Sequence, residues 1–319
     1  MKSMSNNFVF EKWSDEWLKK HLKKRAQERR LGEDLSIAKK PKFVVLGIKE
    51  SIGPRANLGK KGAEFGFTAF CDKFLNMQSN KFLNAKNVSF LGAISPTFEE
   101  YSDGRVLTSE LDEFVYKCLA EFTPQNAIPI VIGGGHNNAY PLIKWASKRF
   151  DQKIDVVNLD PHADYRPLEG RHSGNPFSYA NKEQLINKYQ VFGLHESYNS
   201  SYIYERLDRD GHSFTLFEEY LDHKRCWDED FDVYAKSKNK EATKIGVELD
   251  MDAIENMPSS AISPSGVSFS VARSYIRKIT QSKKVCYLHL PEGAPLSEED
   301  YNKVGKALAY LVTDFIKIR

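Results

Sequence analysis

Cysteine is scarce and scattered in this chain. Cys71, Cys118, Cys226 and Cys286 include no CxxC pair. That excludes a disulfide framework and fits reduced thiols in a cytoplasmic protein. Long apolar runs are missing as well: no stretch of about 18 such residues occurs, so no membrane-spanning helix is expected. The N-terminus lacks the apolar core of a signal peptide. Net charge is nearly absent, +3 over 319 residues, which by itself gives no ground for a nucleic-acid or membrane partner. There is no internal repeat and no low-complexity tract. What remains, 41% hydrophobic and 28% charged residues, is the composition of an ordinary soluble globular enzyme.

The charge that is present gathers at the start. WLKKHLKKRAQERRLGED, Trp17 to Asp34, reads as a basic helix, and SIAKKPK follows as a linker. Trp13, Trp17, Leu18 and Leu22 would rest on the body, so the run is read as a solvated peripheral face in preference to a nucleic-acid arm. We expect a basic helical extension and linker over residues 1–40 and a single domain over residues 41–319.

From Phe43 the pattern changes. FVVLGI, VSFLGAI, IPIVIGGG, IDVVNLD, KIGVELD and KVCYLHL are short β-rich apolar runs of the kind buried on both faces of a sheet. Helical patterns lie between them. Leu111, Phe114, Val115, Cys118, Leu119 and Phe122 form one face, with Thr108 or Ser109 expected as its cap. At the end of the chain, Ser297 and Asp300 make a capping box before the stripe Tyr301, Val304, Leu308, Leu311, Val312 and Phe315. Apolar strands alternating with amphipathic helices predict an α/β fold in three layers, with helices on both faces of a mostly parallel sheet.

Ligands of such sheets bind beyond the carboxyl ends of the strands. The chemistry-bearing residues fall there. IPIVIGGGHNN ends in His136; VVNLDPHAD carries Asp160, His162 and Asp164; IGVELDMD carries Asp250 and Asp252; YLHLPEGAP carries Glu292. Residues two apart on a strand share a face, so Asp160, His162 and Asp164 converge. Singly, each residue has an ordinary reading as a turn former, a helix cap or a chance match. Together, four carboxylates at one spot are tolerable only if cations neutralise them. Two imidazoles and four carboxylates exceed what one tetrahedral zinc needs and suit two harder divalent ions, manganese before nickel or cobalt.

GGGH, DPHAD and ELDMD, in that order and at those strand ends, resemble the metal motifs of the arginase, agmatinase and formimidoylglutamase family of ureohydrolases. The resemblance runs from about Phe43 to the C-terminus. It implies an arginase-like domain around an eight-stranded, mostly parallel sheet, holding two Mn2+ ions. His136 and Asp164 would hold one ion and His162 and Asp252 the other, with Asp160 and Asp250 bridging. It further implies attack of a metal-bridging hydroxide on a guanidino or formimino carbon; beside that hydroxide, Asp164 is the candidate to relay its proton. Glu292 matches the carboxylate that pairs with the cationic amidine nitrogens. A homotrimer or hexamer is the assembly that the resemblance suggests.

Within the family, DYRPLEGRHSGNPFSYA aligns with the substrate loop of arginase. Where arginase has a proton-shuttling histidine after its SGN, this chain has Phe177. Arg166 also differs, and a guanidinium is a natural bidentate partner for a substrate carboxylate. Ser173, Asn175 and His172 are further candidate substrate contacts. The segments IGPRANLGKKGA, GGGHNNAYP, GRHSGN and MPSSAISPSG look closest to formimidoylglutamases. The resemblance therefore implies hydrolysis of N-formimido-L-glutamate to L-glutamate and formamide, as in histidine breakdown. Rival readings are another guanidino-acid hydrolase (arginase, agmatinase or guanidinobutyrase type) and a non-catalytic binding subunit. His289, on an apolar strand, is read as a hydrogen-bonded core residue.

Overall fold

The structure, a computed structural model, describes residues 7–35 and 40–318; the start of the expected linker, residues 36–39, lies outside them. Among the described residues, nine strands form one sheet: β1 (Phe8–Lys12), β2 (Phe43–Ile48), β3 (Val88–Pro96), β4 (Ile128–Ile132), β5 (Ile154–Leu159), β6 (Ile186–Leu194), β7 (Ser213–Leu216), β8 (Ile245–Leu249) and β9 (Val285–Leu290). Their order across the sheet is β1-β3-β2-β4-β9-β8-β5-β6-β7. Of these nine, β1 alone runs antiparallel, against β3. The expectation of eight strands is short by one, and the extra strand comes from the segment read as an extension.

The continuous apolar strands bury both faces, as parallel strands do. Ile130 and Ile132 of β4 pack in one core, Val131 in the other; β5 divides Val157 and Leu159 from Ile154 and Val156 in the same way. Helices Gly66–Phe74, Trp227–Asn239, Phe269–Ile279 and Glu298–Ile318 contribute to the first core, and Gly104–Phe122, Ala139–Phe150, Pro176–Lys182 and Ser201–Arg209 to the second. This is the expected three-layer arrangement. All four cysteines are free. Among the described residues no helix is long and apolar enough to cross a membrane.

Two helix starts test the local reading. Ser297 and Asp300 do cap each other, each backbone N–H donating to the other's side chain at 3.2 and 3.1 Å. The other cap lies earlier than expected. Asp103, not Thr108 or Ser109, opens helix Gly104–Phe122, its carboxylate accepting from the N–H groups of Arg105 and Val106. Thr108 and Ser109 instead donate back to Gly104 and Arg105 carbonyls inside the first turns.

The basic segment differs more. Its helix spans only Asp15–His21, capped by Ser14, and the chain turns extended at Leu22. A four-residue helix, Leu31–Asp34, follows separately. The apolar positions that hold the helix to the body stop at Leu22, and beyond it a run of like charges gives no face to bury. The basic side chains find acidic or carbonyl partners: Arg29 donates to Asp34 at 2.6 Å and Arg30 to the Asn76 carbonyl at 2.8 Å. Trp13 packs between Trp17 and Phe90, its ring tilted against each at 4.3 Å.

Candidate metal centre and substrate cavity

β4, β9, β8 and β5 are consecutive neighbours at the middle of the sheet. His136, Glu292, Asp250 with Asp252, and Asp160 with His162 and Asp164 follow their carboxyl ends in that order. Neighbouring strands lie about 4.8 Å apart, so four adjacent ends bring seven side chains to one place although they are far apart in sequence.

Two groups result. In the first, His136 Nδ1 lies 2.9 Å from Asp164, 2.9 Å from Asp250 and 3.2 Å from Asp160 Oδ2. In the second, His162 Nδ1 lies 3.2 Å from Asp252 and 3.6 Å from Asp160 Oδ1. Within each group the ligand-type atoms are all within 4.8 Å of one another. Asp160 belongs to both and turns a different oxygen to each, the arrangement of a bridging carboxylate. Asp250, expected to bridge as well, joins only the first group.

The donor set fits divalent cations. His136 is fully buried, and neither of its ring nitrogens makes a hydrogen bond of good geometry, although three carboxylate oxygens approach Nδ1; Asp252 Oδ1 is likewise buried without a partner. Lone pairs converging on a common space are what a metal ion satisfies. The electrostatics agree. Burial and then the charge of Asp160 push Asp164 up to about 6, and burial with Asp250 raises Asp252 well above the carboxylate range. Burial, reinforced by Asp250, lifts Glu292 to about 8. Asp160 is held down to about 2 against its burial by His136 and His162. Without cations this cluster repels itself.

The backbone is bent to make the site. Asp164 and Glu292 adopt left-handed conformations, with φ of 46° and 67°; such non-glycine residues are uncommon and gather at functional sites. Glu292 is fixed at both oxygens: it accepts from the His136 N–H at 2.9 Å and from the Ser260 hydroxyl at 2.5 Å.

Several supports were not foreseen. Glu50 accepts from the N–H groups of Ile52, Gly53 and Gly135 and from the amide of Asn138, which clamps the GGGH turn to the segment after β2. Asn158 donates to Asp160 Oδ2 at 2.9 Å. Its signal was present, a polar residue in an apolar strand two positions before Asp160. Arg171 is buried between Tyr140 and Tyr179 and reaches Asp112, the Asn137 carbonyl and Asn175.

A cavity of about 610 Å³ opens at the cluster; it is lined by His162, Asp164, Asp250, Asp252 and Glu292, with Ser260 and Ser173 beside them and the more exposed Arg166 and Tyr198 toward solvent. Arg166 is half exposed, with Nε 3.7 Å from Glu169. Arg166 and Ser173 thus stand where substrate contacts were expected. Asn175 and His172 are fully buried and are not among the residues that line the cavity. The Asn175 amide is used up within the loop, accepting from Arg171 and the His172 N–H and donating to the Pro167 and Gly170 carbonyls. His172 Nδ1 accepts from the Gly174 N–H and Nε2 lies 3.1 Å from Glu169. Burial pushes its imidazolium down to about 4. Phe177 sits in the core, edge-on to His136 at 5.3 Å and stacked on Tyr189 at 4.2 Å.

Comparison with known proteins agrees with this fold. A formimidoylglutamase from Geobacillus thermodenitrificans is 28% identical over 224 residues, 68% of each chain. Among solved structures, the formimidoylglutamase of Bacillus subtilis superposes with a TM-score of 0.75 at 16% identity, covering 92% of this chain and 93% of that one. The formiminoglutamase of Trypanosoma cruzi, crystallised with Mn2+, superposes with a TM-score of 0.72 at 20% identity, over 91% of this chain and 99% of that one. The profile of the arginase family matches residues 41–317, and the chain belongs to that family.

Proposed function

We propose that this protein is a cytosolic, binuclear metal hydrolase of linear amidines that converts N-formimido-L-glutamate and water to L-glutamate and formamide. The observation that carries the reading is the pair of ligand groups sharing Asp160 at the floor of a cavity whose rim bears Arg166. His136, Asp164 and Asp250 would hold one manganese, His162 and Asp252 the other, with Asp160 shared by both groups. Two such ions supply Lewis acidity and activate water at neutral pH. The relatives named formimidoylglutamase and the manganese of the trypanosomal structure support the choice of substrate and metal.

The chain's own groups do the rest. Each Glu292 oxygen retains a lone pair beyond its bond to His136 or Ser260, so the carboxylate can pair with the amidinium and orient its carbon to the floor. Arg166 binds the α-carboxylate end at the rim, where agmatine would leave the guanidinium unpaired. Asp164 takes the proton of the attacking water and passes it to the glutamate nitrogen as the C–N bond breaks. Phe177, packed in the core, carries no titratable group, so no proton shuttle stands at that position.

The test is a panel of formimidoglutamate, arginine, agmatine and guanidinobutyrate on manganese-loaded enzyme, with metal analysis. Formimidoglutamate turnover with two ions per chain supports the reading. Turnover of arginine alone overturns the substrate, and a folded protein that takes up no metal overturns the enzyme.

A further inference from the structure

Beneath the ligand groups the sheet carries polar side chains where its strands are otherwise apolar. Asn158 on β5, Glu248 on β8 and His289 on β9 are register partners across three neighbouring strands. Register partners leave the same face of a sheet, and all three are fully buried. A carboxylate in a sheet core is costly unless it is paired, and Glu248 is paired on every side. Its Oε1 accepts from the Tyr287 hydroxyl at 2.8 Å; its Oε2 lies 2.6 Å from His289 Nδ1 and 3.5 Å from His136 Nε2.

The tyrosine reaches that carboxylate because of a glycine. Gly246 is the register partner of Tyr287, and a Cβ at Gly246 would lie 2.2 Å from the phenol oxygen. Without a side chain there, the ring lies across β8 and its hydroxyl meets Glu248. Gly246, Tyr287 and His289 thus hold one carboxylate against the rear nitrogen of His136.

His136 faces acids at both ring nitrogens: three aspartates approach Nδ1, and Glu248 is the acid at Nε2. A neutral imidazole donates from one nitrogen and offers a lone pair from the other. Glu248 Oε2 stands 3.5 Å behind Nε2, too far for a hydrogen bond of good geometry. Its charge favours the tautomer with the proton on Nε2 and the lone pair of Nδ1 free for a cation.

We propose that Glu248 is a positioning residue that sets the tautomer and ring orientation of His136, and so selectively strengthens the cation site formed by His136, Asp160, Asp164 and Asp250. The inference rests on the binuclear reading above. It is specific to one of the two ions, because the His162 group has no contact with Glu248 among the described residues.

Manganese titration of the metal-stripped full chain tests it, with wild type, Glu248→Gln, Glu248→Ala and Gly246→Ala compared by calorimetry and circular dichroism. The wild type is expected to bind two ions. In the Glu248 variants the Kd of one ion should rise about 10–100-fold while the other stays within about threefold. Gly246→Ala should weaken the same ion by less, through the displaced tyrosine. Folded Glu248→Gln protein that binds both ions as wild type does, or that loses both equally, overturns the role of Glu248; Glu248→Gln keeps the side-chain volume should Glu248→Ala fail to fold. A wild type that binds no ion overturns the metal centre itself, and this inference with it.

Discussion

The floor of the cavity and its mouth are built by different means. The floor is made of residues at or just beyond strand ends, where the parallel register sets both position and direction. The mouth is made of loops, the one after Asp164 among them, where direction depends on what each side chain bonds. On the floor, all six expected ligand residues and Glu292 come together. At the mouth, Arg166 and Ser173 face the cavity, but Asn175 and His172 turn into the loop and hold it. A strand end specifies a side chain's target; a loop specifies it only after its own hydrogen bonds are met.

The sharpest way to break this comparison is at the residue shared by both ligand groups. Asp160→Ala removes an oxygen from each group and leaves His162 and His136 facing the remaining acids. Loss of the cations removes several kcal/mol of transition-state stabilisation, so activity should fall by about a thousandfold or more. Metal analysis should show less than one ion per chain. Chelation of wild-type enzyme should reproduce the loss, and added manganese should reverse it. Two tightly held ions in the variant would show that the floor is not assembled as described.

Glu292→Gln is the next test. The change keeps shape and both supporting contacts in reach but removes the charge opposite the amidinium. A charge-assisted hydrogen bond contributes about 1.5–3 kcal/mol, so kcat/KM should fall roughly 10–150-fold with two ions still bound. Loss of metal from this variant would mean that Glu292 supports the centre instead of contacting the substrate.

The same contrast explains how much was legible from sequence. Strands buried on both faces read as continuous apolar runs, and all six such runs are strands. β6, which opens with exposed Asn187 and Lys188, was missed, as were the short edge strands β7 and β1, with a single buried residue each. Edge strands carry little of the apolar signal because one side meets solvent. The ligand residues were legible because they follow apolar strand runs. The alternation itself did not hold, since β5 ends at Leu159 and β8 at Leu249, and the ligand pairs sit in the bend and the 3-10 turn beyond. Glu50 and Arg171 were not, because they act on backbone groups of segments that meet only in the folded chain. Asn158 and Glu248 were legible in principle: each is a polar residue inside an apolar strand, a placement that needs a buried partner.

The mouth should respond through stability before chemistry. Asn175→Ala deletes the acceptor of Arg171 and the donor to two loop carbonyls. Buried groups left without partners cost about 1–3 kcal/mol, so the melting temperature should drop by several degrees while metal content is kept. KM should rise more than kcat falls, since Ser173 and Arg166 are carried by the same loop. An unchanged melting temperature would show that Asn175 is free to contact substrate, as first expected.

Arg166→Lys has the smallest expected effect and separates recognition from support. Arg166 is half exposed, and its contacts to Glu169 and Asn57 are long, 3.7 and 3.3 Å. Exposed pairs of this kind contribute at most about 1 kcal/mol, so the melting temperature should not move. A lysine keeps the charge but not the two-point fork that matches a carboxylate. KM for formimidoglutamate should therefore rise about tenfold, one hydrogen bond's worth, with kcat nearly unchanged because the rim is remote from the reacting carbon. An amidine without a carboxylate should be indifferent to the change. If both substrates suffer alike, Arg166 shapes the loop and the carboxylate is recognised elsewhere.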